Sequence, residues 1–101
     1  MIDGIKFDSK HEGYRYLELK YLQQIGKIKN LQLQRVYTLL GAQKDENGKI
    51  IEHPAKYIAD FVYETQDGKT VVEDAKGKRT RDYILKRKMM LAFYGIRIQE
   101  V

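Results

Sequence analysis

The stretch at residues 57–76, YIADFVYETQDGKTVVEDAK, decides the fold of this chain of 101 residues. Two runs rich in β-branched and aromatic residues flank the turn sequence TQDG, which predicts two strands joined by a tight turn. Both runs are apolar on both faces, a pattern typical of a sheet that is covered on each side. The acids within them stand out, because burying a carboxylate without a partner costs free energy.

The length of the turn determines which acids face one another across the hairpin. A two-residue turn would set Asp60 opposite Ala75, whereas a three-residue loop over residues 66–68 would set Asp60 opposite Asp74. We predict the three-residue loop, because Gly68 then occupies the left-handed backbone position that this loop type requires. The sequence therefore predicts that two carboxylates meet within the sheet.

Directly opposed carboxylates repel one another, since their Cβ atoms lie roughly 4.5–5.5 Å apart. A bound Mg²⁺ would compensate this repulsion, because carboxylates, waters and a backbone carbonyl form the oxygen-rich site that this cation prefers. Lys76 shares a strand face with Asp74 and would point to the same place, where its ammonium would orient a water or stabilise charge on a phosphate. A salt bridge between Asp60 and Lys76 is the structural alternative. Glu73, on the other face, is expected to be a paired or edge-exposed acid.

The residues before the hairpin predict a helix and a long strand. The helix begins after Ser9, a good N-cap, and ends at Gly26; its apolar residues recur at helical spacing, at Tyr14, Leu17, Tyr21 and Ile25. Alternation then predicts a strand from about Ile28 to Leu40 with a break. The polar residues 41–56, which contain an Asn-Gly turn signal, are expected to form a loop or a protruding hairpin.

The residues after the hairpin predict a second helix and a short final strand. The helix is expected from near Thr80 to Tyr94, with Gly95 at its C-terminal boundary, and IRIQEV alternates as a strand. The order α-β-β-β-α-β predicts one α/β domain over residues 1–101, with a mixed central sheet flanked by helices.

Composition narrows the classes of partner. The chain contains no cysteine, which excludes disulfides and thiolate metal sites. The net charge of +5 favours a polyanionic partner, and seven of the 19 Lys and Arg residues lie between Lys76 and Lys88; the solvated side of a helix is the plainer interpretation of that segment. No run approaches the roughly 20 apolar residues of a membrane span and the first residues lack a secretory signal, so we expect a cytoplasmic protein without a membrane partner.

The spacing of two acids and a lysine resembles the motif of the PD-(D/E)XK nuclease superfamily. Ala59-Asp60 is followed by thirteen residues and then by Asp74-Ala75-Lys76, and Ala59 stands where the motif has proline. Three segments resemble a small phage-associated family that is grouped with restriction-endonuclease-like Holliday junction resolvases. These segments are FDSKHEGYRYLELKYLQQIGKIKNLQLQ, YIADFVYE and VVEDAKG. The resemblance spans residues 7–101. It implies a restriction-endonuclease-like core and, for a phage-associated protein, the cytoplasm of a bacterial host.

The resemblance implies a role for each matched residue. Asp60 and Asp74 would be the two motif acids, Lys76 the motif lysine, and Glu12 the acid that many members place on the first helix. Together with the Ala75 carbonyl, the three acids would hold Mg²⁺, for which Mn²⁺ would substitute. Glu12 also has a structural alternative, since a glutamate three residues after Ser9 completes a capping box. Gln34, on the first long strand, is a further polar candidate.

These roles imply a metal-dependent endodeoxyribonuclease that is structure-specific for branched DNA such as Holliday junctions. Symmetric cutting of a junction needs two active sites, so we expect a homodimer. The DNA backbone would be held by the basic segment, at Lys78, Arg79, Arg81, Lys86 and Arg87. Two other classes stay open at this point: a non-cleaving nucleic-acid-binding module with the same fold, and a structural, protein-binding subunit.

Overall fold

The fold is a mixed sheet with a helix against each of its faces. The computed structural model describes residues 1–75 and 79–101. Over this part of the chain the elements are α1 (Lys10–Gln24), β1 (Ile28–Leu40), β2 (Gln43–Lys44), β3 (Ile50–Glu52), β4 (Ala55–Thr65), β5 (Thr70–Asp74), α2 (Arg81–Tyr94) and β6 (Gln99–Glu100). The main sheet has the order β1-β4-β5-β6, in which β6 is parallel to β5 and the other neighbours are antiparallel. This confirms an α/β protein with a mixed sheet and two helices.

The β4–β5 turn has the three-residue length that the sequence predicted. The backbone N–H of Thr65 donates to the Lys69 carbonyl at 2.8 Å, which closes a loop over residues 66–68. Gly68 has a φ of 84°, the left-handed conformation that a side chain opposes. The loop therefore fixes the register of every pair further along the hairpin.

Both faces of the sheet are covered, as the apolar runs predicted. Residues 59–63 of β4 are buried without interruption, so neither face of this strand meets water. One cluster includes Met90 of α2; its buried members are Tyr37, Leu39, Tyr57, Ala59, Val62, Val72, Met90 and Ile98. The other cluster includes two residues of α1; its buried members are Tyr16, Leu19, Ile28, Phe61, Tyr63 and Ala75.

The first helix packs through a face that helical spacing alone did not identify. The apolar residues that predicted the helix are exposed, Tyr14 by 62%, Leu17 by 44%, Tyr21 by 60% and Ile25 by 49%. The residues of the helix that are buried are Glu12, Gly13, Tyr16 and Leu19. Because α1 carries apolar residues on both sides, periodicity locates the helix without selecting the side that is buried.

The second helix has the boundaries that the sequence predicted. The side chain of Thr80 accepts the Tyr83 N–H at 3.1 Å and caps the first turn. Gly95, with a φ of 67°, ends the helix and donates its N–H to the Leu91 carbonyl at 3.0 Å. Residues 41–56 contain the expected protruding hairpin, formed by β2 and β3. The expected break in β1 takes the form of two register shifts against β4.

No helix in the described part of the chain is long and apolar enough to cross a membrane.

Gly68→Ala should destabilise the protein by about 1–2 kcal/mol, because alanine resists the left-handed backbone that the β4–β5 loop needs. The space around Gly68 is open, so the cost is conformational rather than steric. Gly41→Ala is the matched control, since Gly41 also lies in open space and lacks the positive φ; it should be neutral or stabilise by up to about 1 kcal/mol. Urea unfolding followed by circular dichroism measures both, and equal effects would contradict the loop assignment.

Candidate functional site

The hairpin brings two of the predicted acids to one end of the sheet. Phe61 pairs with Glu73, and the same register continued by one residue sets Asp60 opposite Asp74. Oδ2 of Asp60 accepts the backbone N–H of Ala75 at 2.8 Å. Asp60 is 1% exposed and Asp74 is 2% exposed. The Asp60 carboxylate is thus buried against the backbone that directly follows Asp74.

Glu12 joins this site through Gln34, a residue of β1. Nε2 of Gln34 lies 3.3 Å from Oε1 of Glu12 and 3.4 Å from Oδ1 of Asp60. The Glu12 side chain is buried, although its backbone N–H also donates to Oγ of Ser9 at 3.2 Å. Glu12 therefore takes part in the helix cap through its backbone while its carboxylate lies at the site. The cap and the site are compatible roles.

Gln34 reaches the two carboxylates from an unusual backbone conformation. Its φ is 54°, and β1 contains a second non-glycine residue with positive φ, Asn30 at 56°. A non-glycine residue in the left-handed region costs on the order of 1–3 kcal/mol, and such residues concentrate at functional sites. The conformation of β1 at this point thus fits a site for which Gln34 was already a candidate.

Asp74 is held by a residue that sequence reasoning did not single out. The hydroxyl of Tyr57 donates to Oδ2 of Asp74 at 2.8 Å. Burial raises the pKa of the Tyr57 hydroxyl, and the nearby carboxylates of Asp74 and Asp60 raise it further. Tyr57 therefore stays protonated and acts as a donor. Its sequence context, an aromatic residue in an apolar strand, is equally typical of a core tyrosine.

A cavity of about 360 Å³ opens beside Asp74 on the side of α2. Lys56 and Lys86 line it together with Thr80 and Tyr83. Burial above all raises the pKa of the Tyr83 hydroxyl, and the Glu100 carboxylate raises it further. Two acids, Asp74 and Asp82, also line the opening, and its two lysines and hydroxyl groups are the donors that suit an anionic ligand such as a phosphate.

Glu73 is paired, as expected, and it lies on the side of α1. Nε and Nη2 of Arg15 donate to its two carboxylate oxygens at 2.8 and 2.7 Å, and the Tyr63 hydroxyl donates to Oε2. Its exposure is 1%, which excludes the edge-exposed alternative. The bonds to Glu73 raise the pKa of the Arg15 guanidinium, while burial above all raises the pKa of Tyr63 to about 12. This bidentate pair ties α1 to β5 next to the site.

The basic segment divides between two sides of α2. Lys86 lines the cavity beside Asp74 and pairs with Asp82 at 3.3 Å. Arg79 and Arg87 both pair instead with Glu100 of β6. Arg81 is exposed. The two remaining predicted residues, Lys76 and Lys78, lie outside the described residues.

The donors at the site are oxygens, which suit a hard cation such as Mg²⁺. Within residues 1–75 and 79–101, no three His, Asp or Glu side chains come together as a metal site. The Gln34 amide lies between Glu12 and Asp60, and Asp74 is turned toward Tyr57. The chemistry of the donor set therefore fits the cation, and the side chains would have to turn toward one another to share it.

Arg15→Met should destabilise the protein by about 3 kcal/mol, because it leaves Glu73 buried beside Tyr63 without its cation. The same arginine also pairs with the exposed Glu18 at 3.0 Å, which provides a control. Glu18→Gln should cost less than about 1 kcal/mol, since exposed ion pairs contribute little. Denaturant unfolding of the two variants measures the difference. Similar losses in both would show that the buried pair does not hold the helix on the sheet.

The comparisons with known proteins identify one family. Neither a curated protein nor a solved structure matches the chain. A family model described as "Protein of unknown function (DUF1064)" matches residues 1–99, which is nearly the whole chain. The protein therefore belongs to the DUF1064 family.

Proposed function

We propose that this protein is a Mg²⁺-dependent endonuclease of the PD-(D/E)XK type that hydrolyses phosphodiester bonds in branched DNA, such as Holliday junctions. One observation carries the proposal: three buried acids on separate elements lie at one end of the sheet and are joined by contacts. Glu12 and Asp60 share the Gln34 amide, and Asp60 contacts the backbone next to Asp74. The order of the core elements and the hairpin register agree with a restriction-endonuclease-like core.

In this proposal Glu12, Asp60, Asp74 and the Ala75 carbonyl hold the cation, and Mn²⁺ substitutes for Mg²⁺. When bound, the cation would neutralise phosphate oxygens and lower the pKa of a water. The Gln34 amide contacts the carboxylates of Glu12 and Asp60 and would have to move aside for both to bind the cation.

The other groups in the proposal position the reactants. Tyr57 holds the Asp74 carboxylate through its hydroxyl. Lys56 and Lys86, at the cavity beside Asp74, attract the phosphate. The role of Lys76 follows from its position in the motif. In the proposal it orients the attacking water or stabilises charge on the phosphate.

A second candidate is a nucleic-acid-binding module of the same fold that does not cleave. The position of the Gln34 amide favours it, since a neutral amide between two carboxylates takes the place that a cation would need. The two candidates differ in their dependence on metal, because binding through phosphate contacts requires no divalent cation.

Asp60→Asn should reduce Mg²⁺-dependent cleavage of a labelled four-way junction by about a hundredfold or more, as expected when one charge at a reacting centre is lost. Binding of the junction in EDTA should be unchanged or tighter, because a negative charge is removed near the DNA. Glu52→Gln, an exposed acid of β3, removes the same charge elsewhere and should leave cleavage intact. Flap, duplex and single-stranded DNA, with Mg²⁺, Mn²⁺ or EDTA, define the substrate.

If the wild-type protein binds these DNAs but cuts none of them with either metal, the binding module is the better account. If Asp60→Asn and Glu52→Gln cleave equally well, the site is elsewhere.

We further propose that the endonuclease is a homodimer that pairs through α1. The exposed residues Tyr14, Leu17, Tyr21 and Ile25 recur at helical spacing, so they form one apolar stripe on the side of α1 that faces away from the sheet. Contiguous exposed apolar surface of this kind marks interaction sites in soluble proteins. A second copy of the protein, packed through the same helix, would cover this stripe and would also supply the second active site that a junction requires.

The wild-type protein should have a mass near twice 11.9 kDa by light scattering at micromolar concentration. Leu17→Glu combined with Tyr21→Glu should yield a folded monomer, because two charges would be buried without partners at the interface. Leu85→Glu is the control, since Leu85 is an equally exposed apolar residue on α2; it should leave the dimer intact. A monomeric wild-type protein, or dissociation by both changes, would contradict pairing through α1.

A further inference from the structure

A second cavity lies between α2 and the C-terminal segment. Its volume is about 720 Å³. Four cationic side chains line it, from α2, from the residues before it and from the segment that leads into β6: Arg79, Arg87, Lys88 and Arg97. We call this cavity the arginine groove. Glu100 is the one acid among its lining residues in the described part of the chain.

Glu100 occupies the groove as an anionic ligand would. Its Oε1 lies 2.9 Å from Nη2 of Arg79 and 3.6 Å from Nη1 of Arg87, so one carboxylate oxygen serves two guanidinium groups. A phosphate oxygen is recognised by guanidinium groups in the same geometry. Lys88 and Arg97 form no ion pair within the described residues, so the groove keeps positive charge that Glu100 does not neutralise.

The arginine groove is adjacent to the acids of the proposed active site. Glu100 pairs with Asp74 across the parallel β5–β6 ladder, and neighbouring strands lie about 4.8 Å apart. Tyr83 lines the cavity beside Asp74, and the guanidinium of Arg87, which lines the arginine groove, lies 6.0 Å from the centroid of its ring. A strand of DNA that enters one cavity would therefore reach the other.

We infer that the arginine groove binds a backbone phosphate of the DNA next to the cleaved bond, and that Glu100 takes the place of this phosphate in the free protein. The inference rests on the proposed endonuclease function. It adds Arg97 and Lys88 to the DNA-binding residues and gives Glu100 a competing role. The residues of the arginine groove are distinct from Lys86, which lines the cavity beside Asp74. Positive charge at the groove would position the DNA without reading its sequence.

Fluorescence anisotropy of a labelled four-way junction in EDTA, at a series of salt concentrations, tests the inference. Arg97→Ala should weaken binding about threefold to tenfold and make the slope of log K against log salt about one unit shallower, since one phosphate contact is lost. Arg97→Ala with Lys88→Ala should lower the slope by about two. Glu100→Gln should tighten binding about threefold or more, because Arg79 and Arg87 no longer have an internal anion to hold.

Lys44→Ala with Lys49→Ala is the matched control, since both lysines are exposed and lie at the β2–β3 hairpin away from the groove. This control should change the affinity less than about twofold and keep the slope. Thermal unfolding checks that every variant is folded. With saturating DNA and Mg²⁺, this hairpin control should also cut as fast as the wild type, because neither lysine lines the groove.

The inference is overturned if the groove variants behave like the hairpin control while the wild type binds and cuts DNA. It is also overturned if Glu100→Gln weakens binding. A wild-type protein that fails to bind any of the DNAs would instead remove the proposed function on which the inference rests.

Discussion

The register of the β4–β5 hairpin is the constraint on which the rest of the structure depends. Side chains on a strand alternate between faces, so a shift of one residue would move every side chain of β5 to the other face of the sheet. The three-residue loop with Gly68 at its left-handed position excludes that shift. It sets Asp60 against the Ala75 N–H and directs Glu73 to Arg15. One glycine therefore determines which acids lie together.

The same end of the sheet buries four acids, and each has partners of its own. Glu73 accepts hydrogen bonds from Arg15 and from the Tyr63 hydroxyl. Asp74 accepts one from the hydroxyl of Tyr57, which belongs to the other hydrophobic cluster. Glu12 and Asp60 share an amide donor. Burial of this many carboxylates is costly unless each is hydrogen-bonded. Glu73 is thus set apart from the other three acids: it has a structural role, whereas Glu12, Asp60 and Asp74 are the candidate metal ligands.

Much of the fold could be predicted from local sequence, because the decisive signals are local. The hairpin loop, the cap at Thr80 and the stop at Gly95 each depend on a few neighbouring residues. The packed face of α1 could not be predicted, since apolar residues lie on both sides of the helix and the choice depends on contacts with the distant sheet.

The candidate site was predictable only in part, for the same reason. Asp60 and Asp74 lie in the hairpin and could be proposed from strand alternation, whereas Glu12 lies on α1 and was proposed only from the family resemblance. Tyr57 and Arg15 act through contacts 17 and 58 residues away in sequence, and no spacing signals them. Charge density predicted a basic surface, but the division of its cations between two cavities depends on how α2 packs.

In the proposed function, Glu12, Asp60 and Asp74 together bind a divalent cation. Electron paramagnetic resonance tests it most directly, because free Mn²⁺ gives a strong signal that weakens when the ion is bound by protein. Wild-type protein titrated into Mn²⁺ should deplete the free ion, and Asp74→Asn should do so far more weakly. A wild-type protein that leaves the free Mn²⁺ signal unchanged, or an Asp74→Asn variant that binds equally well, would contradict it.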